Sequence, residues 1–337
     1  MTTTPLVSIV IPTYNRLARL RRVLAALDRQ TCARSDFEVV VVSDGSSDGT
    51  DEYLAAPDTA LRLVVGTQAN GGPAVARNHG IELASAALVL FVDDDIVAAP
   101  DLVERHLERH RVAGDDLVVV GPMLSPTDSR LNPWVQWEQA MLYKQYDAMD
   151  RGEYTATFRQ FYTGNASVPK NRLVEAGGFD PRFRRAEDVE LAYRLHQRGV
   201  PFLYDRTAIG YHYAERPFDA WLRNAGDYGA NDVIFAREKG RDADLSIMSA
   251  EFHGRHPLVR VTSRVGVARP AIGRLLTVPL RLAAQAVHRF GFDRASQLPL
   301  SVLYNMAYYQ GVAAELGGPE HFDASVAGRP APSGSAA

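Results

Sequence analysis

Three groups of carboxylates stand where apolar runs end. Asp93-Asp94-Asp95 directly follows the run Ala87 to Val92. Three adjacent carboxylates repel one another, and burial opposes their charged forms. A divalent cation relieves both costs, and oxygen ligands suit Mg2+ or Mn2+. The same triplet can also be a solvated loop or the cap of a helix opening at Pro100. Asp44 ends the run Phe37 to Ser43 and precedes Gly45. It can accept hydrogen bonds from a ligand that approaches the backbone closely, or form an ordinary Asp-Gly turn. Glu187-Asp188 opens a segment with Val189, Leu191, Ala192 and Leu195 at helical spacing. There Asp188 reads as an N-cap, and as a carboxylate able to take a proton from an attacking hydroxyl. His212, between Tyr211 and Tyr213, is either a satisfied core histidine or a ligand.

These residues need a scaffold that places strand ends together. Short apolar runs alternate with helical patterns through the first ~125 residues, the pattern of a parallel sheet covered on both faces. The runs are Val7 to Pro12, Phe37 to Ser43, Leu61 to Val65, Ala87 to Val92 and Leu117 to Val120. Helices are expected after the first run, with Leu17, Leu20, Leu24 and Leu27 at helical spacing, near Asp48 as an N-cap, from Pro73 through Leu83, and from Pro100. Near-continuous apolar runs imply strands buried on both faces. In such sheets ligands bind beyond the carboxyl ends of the strands. From Asn132 to about Tyr213 the pattern is mixed, with helices near Trp134 to Tyr146 and Val189 to Gln197. Beyond Pro217 it reads as helical, and the Ala/Gly/Pro/Ser-rich tail, 324–337, reads as disordered.

Composition narrows the class. The 337 residues, 46% of them hydrophobic, suffice for a sizeable core. A net charge of −3 excludes nucleic-acid binding driven by overall charge. A single cysteine, Cys32, permits no intrachain disulfide and fits a reducing compartment. The longest uncharged stretch, Ala295 to Ala314, contains Ser296, Gln297, Pro299, Asn305 and Gln310, which suit a core helix better than a membrane span. The reading is a cytoplasmic protein without a transmembrane segment.

The order of the motifs is more specific than any one of them. Val7-Ser-Ile-Val-Ile-Pro-Thr-Tyr-Asn-Arg16, Val42-Ser-Asp-Gly-Ser-Ser-Asp-Gly-Thr50, Gly72-Pro-Ala-Val-Ala-Arg-Asn-His-Gly80, Phe91-Val-Asp-Asp-Asp95 and Ala186-Glu-Asp-Val-Glu190 follow in turn. The series closely resembles family 2 glycosyltransferases, over residues 6 to about 213. The resemblance implies the A-type glycosyltransferase fold, a Rossmann-like, mostly parallel sheet with helices on both faces. It implies a nucleotide-sugar-binding catalytic domain over 1–215, followed here by a helical region over 216–323. Pro12, Thr13, Tyr14 and Asn15 would wrap the nucleotide base. Asp44 would hydrogen-bond the base, usually uracil, so a UDP-sugar donor is favoured. Arg77 would approach the nucleotide. Asp94 would reach the ribose, and Asp95, with Asp93 and His212, would hold Mn2+ or Mg2+. Asp93 and Glu187 count among the donor contacts, as do Gly164 and Asn165 of the Phe161-Tyr-Thr-Gly-Asn-Ala-Ser167 segment. Asp188 matches the catalytic base.

The implied reaction is a single inverting displacement. The metal neutralises charge growing on the pyrophosphate while Asp188 deprotonates the acceptor hydroxyl. The acceptor stays open among a polysaccharide, a lipid carrier, a protein and a small natural product. A nucleotidyltransferase or a dinucleotide dehydrogenase would place a glycine-rich loop after the first strand, whereas no glycine precedes Gly45. A retaining transferase and a non-catalytic sugar-nucleotide binder are the remaining alternatives.

The helical region carries a charge asymmetry. Between Arg255 and Arg294 lie eight arginines and one acid, Asp293. Ile272, Leu275, Leu276, Leu280, Ala283 and Val287 fall at helical spacing, Arg274, Arg281 and His288 lie on another stripe, and Pro279 is expected to kink or restart the helix. The segment 255–294 is either a core-packed helix with a solvated arginine face or a peripheral contact with the inner face of a membrane or an anionic acceptor.

Overall fold

The computed structural model describes residues 4–114, 116–128, 130–183, 186–238 and 242–328. The chain forms two compact units, Met1–Arg130 with Gln139–Ala214, and Leu131–Glu138 with Glu215–Ala337. The second unit thus includes Leu131–Glu138, which lies within the 1–215 span expected for the catalytic domain.

The first unit is built on strands β1 (Val7–Thr13), β2 (Phe37–Asp44), β3 (Leu63–Gln68), β4 (Leu88–Val92), β5 (Ile96–Ala98), β6 (Val118–Val120), β7 (Met123–Leu124), β8 (Asn165–Pro169), β9 (Phe202–Tyr204) and β10 (Gly210–His212). Its helices are α1 (Leu17–Leu27), α2 (Thr50–Ala55), α3 (Pro73–Leu83), α4 (Leu102–Ala113), most of α5 (Pro133–Asp150), α6 (Lys170–Glu175) and α7 (Glu187–Gln197). Seven strands form one sheet in the order β3-β2-β1-β4-β8-β6-β9. β1 pairs in parallel with β2 and β4, β2 with β3, and β6 with β9; β8 runs antiparallel to both β4 and β6. All residues of β2 and β4 are buried. Successive side chains point to opposite faces, so both faces there are covered. This is why these strands read as continuous apolar runs.

A smaller sheet, β5-β10-β7, follows the end of β4. β10 pairs antiparallel with β5, His212 opposite Ile96. These strands are two or three residues long, and neither they nor β8 stood out from the mixed pattern.

Local chemistry explains the loops between strands and helices. Asp48 Oδ2 accepts from Leu17 N–H at 2.9 Å, and its Oδ1 accepts from Thr50 N–H at 3.2 Å. It thereby ties the start of α1 to the start of α2. Gly49, with φ 89°, rather than the expected Asp48, is the N-cap of α2, because that turn requires a left-handed residue. α3 opens on Pro73, as the sequence indicates, and α4 begins after Asp101. A Cβ on Gly80 would collide with Val10, so α3 sits close against β1.

The second unit holds α8 (Phe218–Glu238), α9 (Asp242–Gly254), α10 (Pro257–Ala268), α11 (Pro270–Arg289), α12 (Asp293–Leu316) and α13 (Pro319–Phe322). α12 is its core, burying Leu300, Leu303, Met306, Tyr309 and Val312. It packs on α8, α10 and α11. Gly229 and Gly311 allow the approach of α8 and α12, since a Cβ on either would strike the facing backbone. Trp137 donates from Nε1 to Ser301 Oγ at 2.8 Å within a cluster with Trp221 and Tyr304.

Three expectations for this region change. Pro279 lies inside α11, which runs as one helix from Pro270 to Arg289. The buried positions of α11 are Gly273 and Ala284; of the apolar residues at helical spacing, Ile272, Leu276, Leu280 and Val287 are half-buried, whereas Leu275 and Ala283 are exposed. The tail does not lose structure at 324: Asp323–Ala327 is a helical turn with Val326 and Ala327 buried, and Ser249 Oγ donates to Val326 O at 2.9 Å. Residues 329–337 of the expected disordered tail lie outside the described residues. Among the described residues no helix is long and apolar enough to cross a membrane.

Candidate active site

The site forms where β1, β2 and β4 end side by side. Thr13, the last residue of β1, is buried and donates from Oγ1 to Asp94 Oδ2 at 2.9 Å. Tyr14 is exposed. Asn15 has φ 53°, a conformation that asparagine tolerates better than most residues. Its Oδ1 accepts from Ser47 N–H at 2.7 Å, and its N–H donates to Ser46 Oγ at 3.1 Å. The loops after β1 and β2 are thus laced together, with Pro12 at the root of the first.

Asp44 ends β2 and organises a third loop. Its Oδ1 accepts from Gln68 Nε2 and Gly71 N–H, and its Oδ2 from Gly72 N–H, each at 2.8 Å. A carboxylate offers about four acceptor positions, so three are filled by the Gln68–Gly72 loop. Gly72 then precedes Pro73 at the start of α3, which carries Arg77 into the site.

The aspartate triplet divides into three environments. Asp93 turns to Arg77, with Arg77 NH2 2.7 Å from its Oδ1. Asp94 is buried and bonded to Thr13 and to Arg16 NH1 at 2.7 Å. Burial pushes its carboxyl up to about 6, against the opposing charge of Arg16, and Asp95 adds to the rise. Asp95 meets Arg16 at 3.3 Å and Arg19 at 3.5 Å. His212 Nε2 lies 3.6 Å from Asp95 Oδ1, because β10 pairs with β5 immediately after the triplet and Tyr213 N–H bonds Asp95 O at 2.9 Å. The Gln139 amide meets His212 Nδ1 at 3.2 Å from the other side. His212 is therefore beside the triplet, not in the core.

Arg77 joins the two halves of the site. Its buried guanidinium contacts Asp93 and, through NH1, Glu187 Oε1 at 2.7 Å. It also lies over the Phe179 ring. Glu187 is buried, and Asp188 follows it in the first turn of α7. Ala186, not Asp188, is the N-cap, and it holds φ 56°, uncommon for a residue with a Cβ and found mainly at constrained sites. Asp188 Oδ1 accepts from Val189 N–H at 2.8 Å. Burial raises the Asp188 carboxyl to about 7; the charge of Glu187 adds to this, and Arg77 opposes it.

Gly164 and Asn165 occupy a supporting position. A Cβ on Gly164 would strike Met123 Sδ and come within 3.3 Å of Asp93 Oδ2, so the glycine lets the chain pass behind the triplet. Asn165 is 1% exposed. Its Nδ2 donates to Ala208 O at 2.7 Å and Pro122 O at 3.1 Å, and its Oδ1 meets His106 Nε2 at 3.0 Å. Both amide protons are spent on the fold, so the expected donor contact through this side chain is corrected to a structural one. Burial holds His106 down to about 4, so it packs as a neutral imidazole.

The donor set bears on a metal. Among the described residues no three His, Cys, Asp or Glu side chains gather as a closed ligand group. Asp95 and His212 supply an oxygen and a nitrogen suited to Mn2+. Asp93 is engaged by Arg77 and is the weaker member of the expected set. Mg2+-like sites complete their shell with water and substrate phosphates, so two protein ligands are compatible with such an ion. Arg16 and Arg19 went unassigned from sequence; the one available signal was that Arg16 closes the first motif and immediately precedes Leu17, the first residue of the α1 apolar stripe.

This architecture is the A-type glycosyltransferase fold. The mannosyltransferase PcManGT of Pyrobaculum calidifontis, solved with GDP-Man and Mn2+, matches with a TM-score of 0.59 at 20% identity over 92% of this chain and 88% of that one. TarS 1–349 of S. aureus, solved with UDP, matches with a TM-score of 0.55 at 18% identity over 90% and 91%. In sequence, the profile of Glycosyl transferase family 2 matches residues 8–189, and the chain belongs to that family. Validoxylamine A glucosyltransferase of Streptomyces hygroscopicus subsp. jinggangensis is 36% identical over 231 residues, 61% of this chain and 55% of that protein. The chain spans about half the length of that relative and of its counterpart from subsp. limoneus.

Proposed function

We propose that this chain transfers a sugar from a nucleotide-sugar donor to an acceptor hydroxyl, with inversion and with Asp188 as general base. One observation carries the reading. Arg77 contacts Asp93, which directly follows β4, and Glu187, which precedes Asp188, each at 2.7 Å. The aspartate triplet and the Glu-Asp pair, far apart in sequence, thus share one site.

The residues divide the work. Asp44, with one acceptor position left, takes an N–H of the base; a uracil is the favoured base, hence a UDP-sugar. Asp94, held by Thr13 and Arg16, takes a ribose hydroxyl. Asp95 and His212 would hold Mn2+ or Mg2+, which when bound neutralises negative charge on the leaving diphosphate. Arg77 holds Asp93 and Glu187 and so fixes where Asp188 stands. Asp188 removes the acceptor proton on the face opposite the leaving group. A carboxyl raised toward neutrality is a stronger base than an ordinary carboxylate and still ionised in part at pH 7. The acceptor is a hydroxyl-bearing saccharide, lipid carrier or natural product.

The metal reading is tested by calorimetric titration of UDP into the chain with and without Mn2+. Metal should tighten binding by tenfold or more (~1.4 kcal/mol), and Asp95→Ala should remove that gain. Equal metal dependence in Asp95→Ala and the wild type would take Asp95 out of the metal site.

A further inference from the structure

α11 turns an apolar stripe to the outside. Its buried positions are Gly273 and Ala284. On the opposite side Leu275, Val278 and Leu282 are 75%, 62% and 58% exposed. Spacing of three and four residues sets them in one line along the helix. Phe290 and Phe292, just past its end, are 77% and 66% exposed. Five large apolar side chains presented together on one segment are uncommon on a monomer surface and mark a contact.

The charge around this stripe identifies the contact. Arg269, Arg274, Arg289 and Arg294 are exposed, and among the described residues none of them is in an ion pair. Arg281 is spent otherwise, lying 4.6 Å from the centre of the Phe218 ring. The one acid of the segment, Asp293, bonds His288 Nδ1 at 2.7 Å. A second copy of this face would set arginines against arginines with no free acid to answer them, a repulsive arrangement. Phosphate headgroups answer them, and acyl chains receive the leucines and phenylalanines between them. Arginines whose stems run beside apolar side chains and whose heads reach phosphate are characteristic of helices lying in a bilayer interface.

We propose that α11, with Phe290 and Phe292, is a docking element for an anionic membrane surface. The helix lies in the plane of the interface, with Leu275, Val278 and Leu282 toward the acyl chains. No part of this depends on the transferase reading, which rests on other residues in the first unit.

Flotation of the full chain with vesicles tests the assignment. Vesicles of phosphatidylcholine with phosphatidylglycerol should carry the chain at low salt, and pure phosphatidylcholine should not. Binding should weaken as salt screens the arginines. Arg274→Glu with Arg289→Glu should reduce the affinity by about tenfold or more. Leu275→Ser with Leu282→Ser should abolish it. In case the serine pair disturbs folding, Leu275→Trp gives an independent readout: its emission should shift to the blue with anionic vesicles and not before. Failure of the wild type to float at low salt, or no shift from Leu275→Trp, would overturn the assignment. So would a blue shift arising without vesicles, in step with dimer formation by sedimentation, which would give the stripe to a second copy.

Discussion

Asp188 combines two consequences of one environment. Burial, with Glu187 as neighbour, lifts its carboxyl to about 7 despite Arg77, against ~3.9 in an unfolded chain. The folded state therefore holds the proton more tightly between those two values. Stability from this group is complete below ~4 and is lost as pH rises through about 7. An asparagine has no charge to bury, so Asp188→Asn should melt higher than the wild type at about pH 8 and alike at about pH 4. The gain should be on the order of 2 °C for each kcal/mol regained. Thermal melts of both chains at the two pH values decide it; a variant less stable at high pH would contradict the assigned burial cost. For the same reason kcat/KM should fall on the acid side with a midpoint near 7, where the base becomes protonated. Asp44, Asp94 and Asp188 were visible in the sequence because each follows or opens a strongly patterned element. Which groups surround them was not, since Arg16, Arg77 and Glu187 reach them only through the fold.

At the scale of elements, legibility followed length and burial. β1, β2 and β4 are continuous apolar runs, and α3 is marked by Pro73. β5, β7 and β10 are too short to show a period, yet their pairing is what brings His212 to Asp95. β8 is a harder case, because Asn165-Ala-Ser-Val-Pro169 is half polar and wholly buried. Its polar side chains are satisfied from α4: His106 bonds Asn165 and Ser167, and His110 bonds Ser167 at 2.8 Å. Asn165 was expected as a donor contact from the resemblance of the Phe161–Ser167 segment to the family, and nothing in the residue types showed that α4 would satisfy it. Asn165→Ala leaves the Ala208 carbonyl without this partner, while Pro122 O keeps Gly210 N–H at 3.0 Å, and an unsatisfied buried group costs about 1–3 kcal/mol. Chemical denaturation should show that loss. Below the variant's melting temperature, UDP affinity should stay within about twofold of the wild type, far less than the loss of a hydrogen bond to the ligand would produce. A large loss of affinity in a chain of unchanged stability would return Asn165 to the ligand site.

At the scale of the whole molecule, the family match lies mostly in the first unit, as does the proposed site, and the second is a helical unit built around α12. Its helices were readable from sequence, but the facing of α11 was readable only in part. Periodicity marked Ile272, Leu276, Leu280 and Val287, which are half-buried beside Gly273 and Ala284, but it also included Leu275, which lies on the exposed side with Val278 and Leu282. The central claim concerns the first unit, that it cleaves a nucleotide-sugar donor with Asp188 as base. Its most direct test is release of nucleoside diphosphate from a panel of UDP-, GDP- and dTDP-sugars with Mn2+ and candidate hydroxyl acceptors, comparing the wild type with Asp188→Asn. The account predicts diphosphate release from one class of donor by the wild type, and a rate at least about a hundredfold lower in Asp188→Asn, which still binds that donor. Equal rates from the two chains, or donor binding by the wild type with no diphosphate released for any acceptor, would contradict it.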